Sequence, residues 1–412
     1  AKITDSLNVY QSEPRVLYTS SMHGDEISGF VLSLRLIDYL LSNYENDTRI
    51  ANIINNTELW INPLANPDGA YTNNNNSVYN AQRYNANLVD LNRNYPDPED
   101  GAHPDWNEYQ PETVAFMSFA DSVKFDISSN FHGGAEVANY PWDTWSNYPA
   151  DYDWWLHVMN EYAGLAQENS NPGYFTVYDN GIVNGYDWYE VNGGRQDYMN
   201  YFHHCREFTL EISNSKTPAG EDLPYYWDAN YNSFLAYIEQ GNYGLHGVIT
   251  DSLTGEPLLA EVSIAGHDID SSQVFSHLPN GDYHRYLFQG SYSVTYSADG
   301  YFPKTISSVS LANNETTNLD VQLVQNNVMI KENLAHNLQL FPQPASAYIT
   351  VNNLPEKISS AYILDAVGRR VRTLNFGNSV AETIHKENLS IGTYFLVFVV
   401  DGIEYEKEFV FR

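Results

Sequence analysis

Along residues 1–240 the apolar positions change period several times. Residues 16–20 and 59–64 are short apolar-rich runs bounded by turn residues, and each predicts a strand. The first runs into Ser21-Met22-His23-Gly24-Asp25 and the second into Asn66-Pro67-Asp68-Gly69, a strong turn signal. Between them Ile27, Phe30, Val31, Leu34 and Ile37 recur at helical spacing and predict a helix with those side chains on one face. Pro111 can open a further helix to about residue 124, because proline's missing N–H costs nothing in a first turn. Residues 126–131 and 207–212 predict two more strands, and residues 225–240 a closing helix. Strands and helices alternating in this way imply an α/β fold, a mixed β-sheet flanked by helices.

Beyond Gly244 the helical period disappears. Residues 247–251, 260–265, 282–287 and 291–296 are short strand-like runs separated by Gly, Pro and Asn turns, the pattern of a small β-sandwich. A polar linker near residues 325–336 leads into another β-rich unit. The expected boundaries are 1–243 for the α/β domain, 244–325 for the first β-sandwich and 336–412 for a second small all-β sandwich domain. A chain of 412 residues is long enough for this division, since one hydrophobic core rarely serves so many.

Composition narrows the functional classes. With 42% hydrophobic and 17% charged residues the chain is globular rather than disordered. No apolar run reaches the ~18 residues that span a bilayer, so the chain is not expected to be membrane-spanning. The formal charge is −32; residues 336–412 contribute −1, with 7 Lys/Arg against 8 Asp/Glu, leaving −31 for the rest. Such a surface repels a phosphate backbone, which argues against nucleic acid as a partner, attracts cationic substrates, and also serves solubility. Cys205 is the only cysteine, which forbids an intramolecular disulfide yet allows secretion. It reads as a buried strand residue rather than a reactive thiol. Residue 1 is Ala and no signal-peptide pattern follows, so the chain reads as processed or N-terminally truncated.

The candidate chemistry starts at His23 and Glu26. Three residues apart on one helical turn, they face the same way and can reach one metal. Zinc held by two His and one Glu keeps a fourth position open, as catalytic zinc requires. Alone, this pair is weak evidence and reads first as a chance pair of exposed side chains. Asp90-Leu91-Asn92-Arg93 sets an acid, an amide and a guanidinium in one short loop, which by itself is also an ordinary charged turn. His132 ends a predicted strand before Gly133-Gly134, glycines that let backbone approach a ligand closely. Glu211 lies among Phe208, Leu210 and Ile212, where a carboxylate is costly unless paired or functional.

In order and spacing these pieces resemble the zinc metallocarboxypeptidases, most of all the regulatory N/E-type branch that includes carboxypeptidases N, E and D. The resemblance covers residues 1–325 and includes a transthyretin-like sandwich after the catalytic domain. It implies the metallocarboxypeptidase fold and one Zn2+ per catalytic domain, held by His23, Glu26 and His132. It implies that Asp90 orients His23, and that Glu211 is the general base acting on zinc-activated water. Arg83 matches the arginine that polarises the scissile carbonyl, and Tyr189 the tyrosine that closes over the substrate. Asn92 and Arg93 match the clamp on the substrate's terminal carboxylate, which implies an exopeptidase acting on peptides or proteins with a free C-terminus. Asp143, with Gln196, matches the pocket that selects C-terminal Lys or Arg. Asp25 departs from the branch, which usually has Asn there.

The last domain, from Leu340-Phe341-Pro342-Gln343-Pro344-Ala345 through Leu364-Asp365-Ala366-Val367-Gly368-Arg369 to Ile391-Gly392-Thr393-Tyr394, resembles the type IX secretion sorting domain. That implies the type IX secretion machinery as a partner and a secreted or outer-surface location in a Bacteroidetes-type bacterium. Three other readings stand beside the basic exopeptidase: a carboxypeptidase for apolar C-termini, one for peptidoglycan stem peptides, and a non-catalytic surface protein that binds peptides.

Overall fold

A computed structural model describes residues 1–326, 337–355, 357–376, 380–400 and 403–412. Most of the expected linker, 327–336, lies outside the described residues. The α/β portion follows the order β1 (Lys2–Ile3), β2 (Arg15–Ser20), α1 (Ser28–Asn43), α2 (Thr48–Asn56), β3 (Glu58–Asn62), α3 (Pro67–Ala70), α4 (Pro111–Val123), β4 (Ile127–His132) and β5 (Val137–Tyr140). It continues through α5 (Tyr152–Glu168), β6 (Ile182–Asn184), α6 (Gly185–Trp188), α7 (Arg195–Phe202), β7 (Arg206–Glu211) and α8 (Leu223–Gln240).

Seven strands form one sheet in the order β1-β3-β2-β4-β7-β5-β6. The centre is parallel, β3 to β2 to β4 to β7, while β1 and β5 run antiparallel to their neighbours β3 and β7. A parallel centre needs cover on both faces, which is why β2, β4 and β7 are buried along their whole length. α1, α5 and α8 cover one face through Leu32, Leu36, Trp155, Met159, Phe234 and Tyr237. On the other, Leu17, Leu91, Phe116, Phe125 and Met199 form a second cluster.

The helix after β2 forms where expected, but it turns a different face to the core. The buried positions of α1 are Ser28, Gly29, Leu32, Ser33, Leu36 and Leu40, while Leu34 is 49% exposed. The cause is close approach to the sheet. A Cβ on Gly29 would lie 2.5 Å from Ser20 Oγ and 2.7 Å from Phe131 Cβ. Small residues therefore mark the contact face, and a pattern built from large apolar residues alone points elsewhere.

The first sandwich contains β8 (Gly244–Asp251), β9 (Glu261–Ile264), β10 (Val274–Phe275), β11 (Asp282–Arg285), β12 (Gly290–Ser297), β13 (Lys304–Leu311), β14 (Thr316–Asn318) and β15 (Val321–Leu323). One sheet runs β10-β9-β12-β13; the other runs β11-β8-β14, with β15 also on β8. Residues 1–298 and 303–323 make one compact unit, so this sandwich shares a unit with the α/β portion. A buried ion cluster ties them: Asp151 meets Arg206 at 2.6 Å, Arg285 at 3.0 Å and His267 at 2.9 Å.

Residues 299–302 and 324–412 form the second unit. Its strands are β16 (Gln339–Phe341), β17 (Tyr348–Asn352), β18 (Ile358–Asp365), β19 (Arg370–Leu374), β20 (Ala381–His385), β21 (Gly392–Val400) and β22 (Ile403–Phe411). They make sheets β16-β17-β20 and β19-β18-β21-β22 around Ile349, Val351, Ile363, Leu396, Phe398 and Phe409. The Asp365–Arg369 segment is the turn between β18 and β19: Gly368 N–H donates to Asp365 O at 2.9 Å, and Gly368 adopts φ +81°.

Candidate metal centre and active site

The parallel centre of the sheet brings distant residues to one edge. Ser20 lies opposite Phe131, and His132 opposite Glu211. The turn after β2 therefore starts beside the last residues of β4 and β7. That turn is tight: Glu26 N–H donates to His23 O at 3.1 Å, and Gly24 N–H to Arg83 O at 3.3 Å. A Cβ on Gly24 would lie 2.2 Å from the Gly69 carbonyl carbon, so only glycine lets these two turns meet.

His23, Glu26 and His132 converge at the mouth of this edge. His23 Nδ1 is 3.0 Å from Glu26 Oε2 and 3.0 Å from His132 Nδ1, and His132 Nδ1 is 2.8 Å from the same Oε2. All three residues are buried, and among the described residues this is the one group of His, Cys, Asp or Glu side chains close enough to hold a metal. The donor set fits zinc. Tetrahedral zinc with ligand bonds near 2.0–2.1 Å spaces its donors by roughly 3.3 Å, close to the separations here. Two imidazole nitrogens and a carboxylate oxygen turned on one point also have too few protons to satisfy each other.

Surrounding groups orient the three. His23 Nε2 faces Asp90 Oδ1 at 3.1 Å, which leaves Nδ1 free for a metal. The Asn130 amide stands 2.7 Å from His132 Nε2 and plays the same part, its oxygen and nitrogen ends being interchangeable by rotation. Burial lowers the His132 pKa to about 4, keeping the ring neutral as a ligand must be. Burial opposes charge on His23 as well, yet Glu26 and Asp90 together raise it. Burial would raise the Glu26 carboxyl, but His23 and His132 hold it well below the usual range. Glu211 is different. Burial first, then the negative charge of Glu26, push it up to about 8, and its Oε2 has no hydrogen-bond partner.

The remaining sequence candidates gather nearby. Arg83 Nε donates to Asp90 Oδ2 at 2.9 Å, with Nη1 3.2 Å from His23 Nδ1. Asp90 also accepts the Asn92 N–H at 3.0 Å, and Asn92 Oδ1 accepts the Arg195 N–H at 2.9 Å. Arg93 Nη1 donates to Asn92 O at 2.7 Å. Asp143 is buried, and its Oδ1 accepts from Asn139 at 3.1 Å and from Gln196 Nε2 at 3.0 Å. Gln196 Oε1 in turn accepts the Thr209 N–H at 2.7 Å, two residues before Glu211. Tyr189, just past α6, is 48% exposed. Cys205 is wholly buried with Ser128 Oγ at 3.3 Å, and burial raises its thiol well above the usual value.

Sequence reasoning missed three contributors. Asn130 sits two residues before His132 in β4, where Ser128 and Ser129 also stand, so its polar side chain did not mark it out. Gly185 is required because a Cβ there would lie 1.8 Å from Asp143 Oδ1. Lys216 puts its Nζ 2.8 Å from Glu26 Oε1, from a loop that carried no chemical signal.

A zinc carboxypeptidase family model matches residues 1–233. The chain belongs to the zinc carboxypeptidases. It is 35% identical to the carboxypeptidase N catalytic chain of Rattus norvegicus over 355 residues, 77% of this chain and 76% of that one. It is 34% identical to carboxypeptidase D of Homo sapiens over 321 residues, 74% of this chain but 23% of that much longer protein. Against carboxypeptidase M of Mus musculus the identity is 36% over 302 residues, 70% of this chain and 67% of that one. The protein is thus a metallocarboxypeptidase, an enzyme that hydrolyses peptides, and membership implies zinc. Residues 244–324 match a carboxypeptidase regulatory-like domain, which accounts for the first sandwich. Residues 339–412 match a secretion-system C-terminal sorting domain, the mark of an exported or surface protein. No described helix is long and apolar enough to cross a membrane.

Proposed function

We propose that this zinc carboxypeptidase removes C-terminal Lys or Arg from peptides or proteins. The observation that carries the specificity is Asp143: a buried carboxylate whose Oδ1 is taken by two amides, while among the described residues no donor reaches Oδ2. Burying an acid without a full set of donors is costly, and a cationic substrate side chain would supply the missing partner. The three domains are assigned to 1–243, 244–325 and 336–412, with one zinc in the first. Its export is assigned to the type IX machinery of a Bacteroidetes-type cell.

His23, Glu26 and His132 would hold the metal. When bound, zinc supplies Lewis-acid polarisation of the scissile carbonyl and makes water more acidic. Glu211 takes the proton of the attacking water and passes it to the leaving amine; burial and an unpartnered oxygen keep it basic enough for both transfers. Arg83, oriented by Asp90, stabilises the negative charge that develops on the carbonyl oxygen. Asn92 and Arg93 bind the substrate's terminal carboxylate, which excludes internal peptide bonds. Tyr189, exposed beside the site, closes over the bound residue.

The test is hydrolysis of matched peptides ending in Arg, Lys, Phe or Leu, with and without a zinc chelator. Chelator-sensitive release of Arg and Lys is expected. Release of Phe or Leu instead would discard the role of Asp143 while keeping the enzyme class.

A further inference from the structure

Asp143, in the loop after β5, has two other acids beside it. Its N–H and that of Thr144 donate to Asp197 Oδ2 at 2.9 and 2.8 Å. The Thr144 hydroxyl donates to Asp97 Oδ1 at 3.2 Å, and Asp97 Oδ2 accepts the Gly193 N–H at 2.8 Å. One short segment therefore gathers Asp97, Asp143 and Asp197, all of them buried. Backbone N–H groups reach both oxygens of Asp97 and both of Asp197. Asp143 differs. Its Oδ1 accepts from Asn139 and Gln196, while among the described residues no donor reaches its Oδ2.

The charges that face Asp143 do not neutralise it. Glu207 is engaged by Arg195 at 2.9 and 3.1 Å, and Tyr189, which faces both Arg93 and Asp143, brings a hydroxyl that burial keeps protonated. Arg93 is the cation that helps Asp143 to ionise, and a substrate's terminal carboxylate would claim it. Burial first, then Glu207 and Asp97, raise the Asp143 carboxyl to about 7. Burial and the Asp143 charge raise Asp197 as well, so the two do not carry charge together in the empty pocket.

We propose that the empty pocket keeps a proton on Asp143 and that an incoming C-terminal Arg or Lys expels it, so that pH switches the selection of basic side chains. Selection is strong at neutral and alkaline pH and is lost in acid, where the uncharged pocket takes uncharged side chains. This rests on Asp143 being the acid that meets the basic side chain. The Asp143 O–H bond breaks, its proton goes to solvent, and the carboxylate left behind pairs with the guanidinium or ammonium through Oδ2.

The experiment measures kcat/KM of the zinc-loaded full chain from pH 5 to 9 for matched peptides ending in Arg or Leu. This quantity reports the groups of the free enzyme, and those of the metal centre act on both peptides alike and cancel in the ratio. The Arg-to-Leu ratio should rise about tenfold per pH unit below pH 7. In Asp143→Asn it should be low and independent of pH. Calorimetry of N-acetyl-arginine binding to the parent at pH 6, in two buffers of different ionisation heat, should show about one proton released per ligand, and N-acetyl-leucine none. A ratio that favours Arg equally at pH 5 and pH 8 would overturn the proposal and leave the basic specificity standing. So would a pH-dependent ratio that survives in Asp143→Asn, or equal proton release by the two ligands, since each traces the proton to another group. Lack of preference for Arg even at pH 8 would refute the Asp143 assignment itself.

Discussion

Asp143→Asn should push stability and specificity in opposite directions. In the substrate-free protein the Asp143 carboxyl is raised from 3.8 to about 7, first by burial and further by Glu207 and Asp97, against the Asn139 hydrogen bond and Arg93. Each tenfold change in proton affinity is worth about 1.4 kcal/mol, so carrying the ionised form above pH 7 costs on the order of 4 kcal/mol. Asn keeps the oxygen that accepts from Asn139 and Gln196 and removes the charge. It also relieves Asp197, which accepts the Asp143 and Thr144 N–H groups at 2.9 and 2.8 Å and whose own carboxyl the Asp143 charge helps to raise. The pH window follows from the sign. Below pH 3.8 Asp143 is protonated in both folded and unfolded chains, so the variants match. Between 3.8 and about 7 the unfolded parent ionises while the folded one does not, and the advantage of Asn grows, becoming full above 7. Activity moves the other way. Removing one member of a buried charge pair costs about 2–5 kcal/mol, so kcat/KM for Arg-terminated peptides should fall roughly 30- to 5,000-fold at pH 7.5. Leu-terminated peptides should lose little. The assay pairs thermal unfolding at pH 4 and pH 8 with kcat/KM for Arg and Leu peptides. An unchanged Arg-to-Leu ratio would refute the pocket assignment, and a variant less stable than the parent at pH 8 would refute the burial argument.

Glu211→Gln should lower kcat by about 10²–10⁴ or more while zinc content, read by elemental analysis, stays at the parent level. Asp90→Asn keeps an oxygen for His23 Nε2–H but removes the negative charge that His23 and Arg83 share, and should weaken zinc binding about 10- to 100-fold in chelator competition. Asp151→Asn leaves the buried guanidiniums of Arg206 and Arg285 short of their shared carboxylate and should cost about 3–5 kcal/mol in denaturant unfolding. Although burial opposes it, Arg285 and Arg206 hold the Asp151 carboxyl far below its ordinary value. Its stabilisation is therefore full above pH 3.8, and the deficit of the Asn variant should shrink only below that pH.

The sequence by itself determined the element types and the family, and it named most of the residues that the structure gathers around His23, Glu26 and His132. Strand 207–212 and helix 225–240 were legible because apolar period and turn residues are local properties, and they fall within two residues of β7 and α8. Glu211 stood out because an acid among Phe208, Leu210 and Ile212 is locally anomalous. His23, Glu26 and His132 were each ambiguous alone and became informative through their order. Only the tertiary structure decided what depends on close approach between distant segments. The contact face of α1 is set by Gly29 against Ser20 and Phe131, and the necessity of Gly24 and Gly185 by Gly69 and Asp143. Lys216 and Asn130 gain meaning from Glu26 and His132, which register across the sheet and the loop after β7 bring within hydrogen-bond reach. Side-chain period reports which way a residue points along its own element. It carries no distance to a partner 190 residues away, and distance is what makes a metal centre.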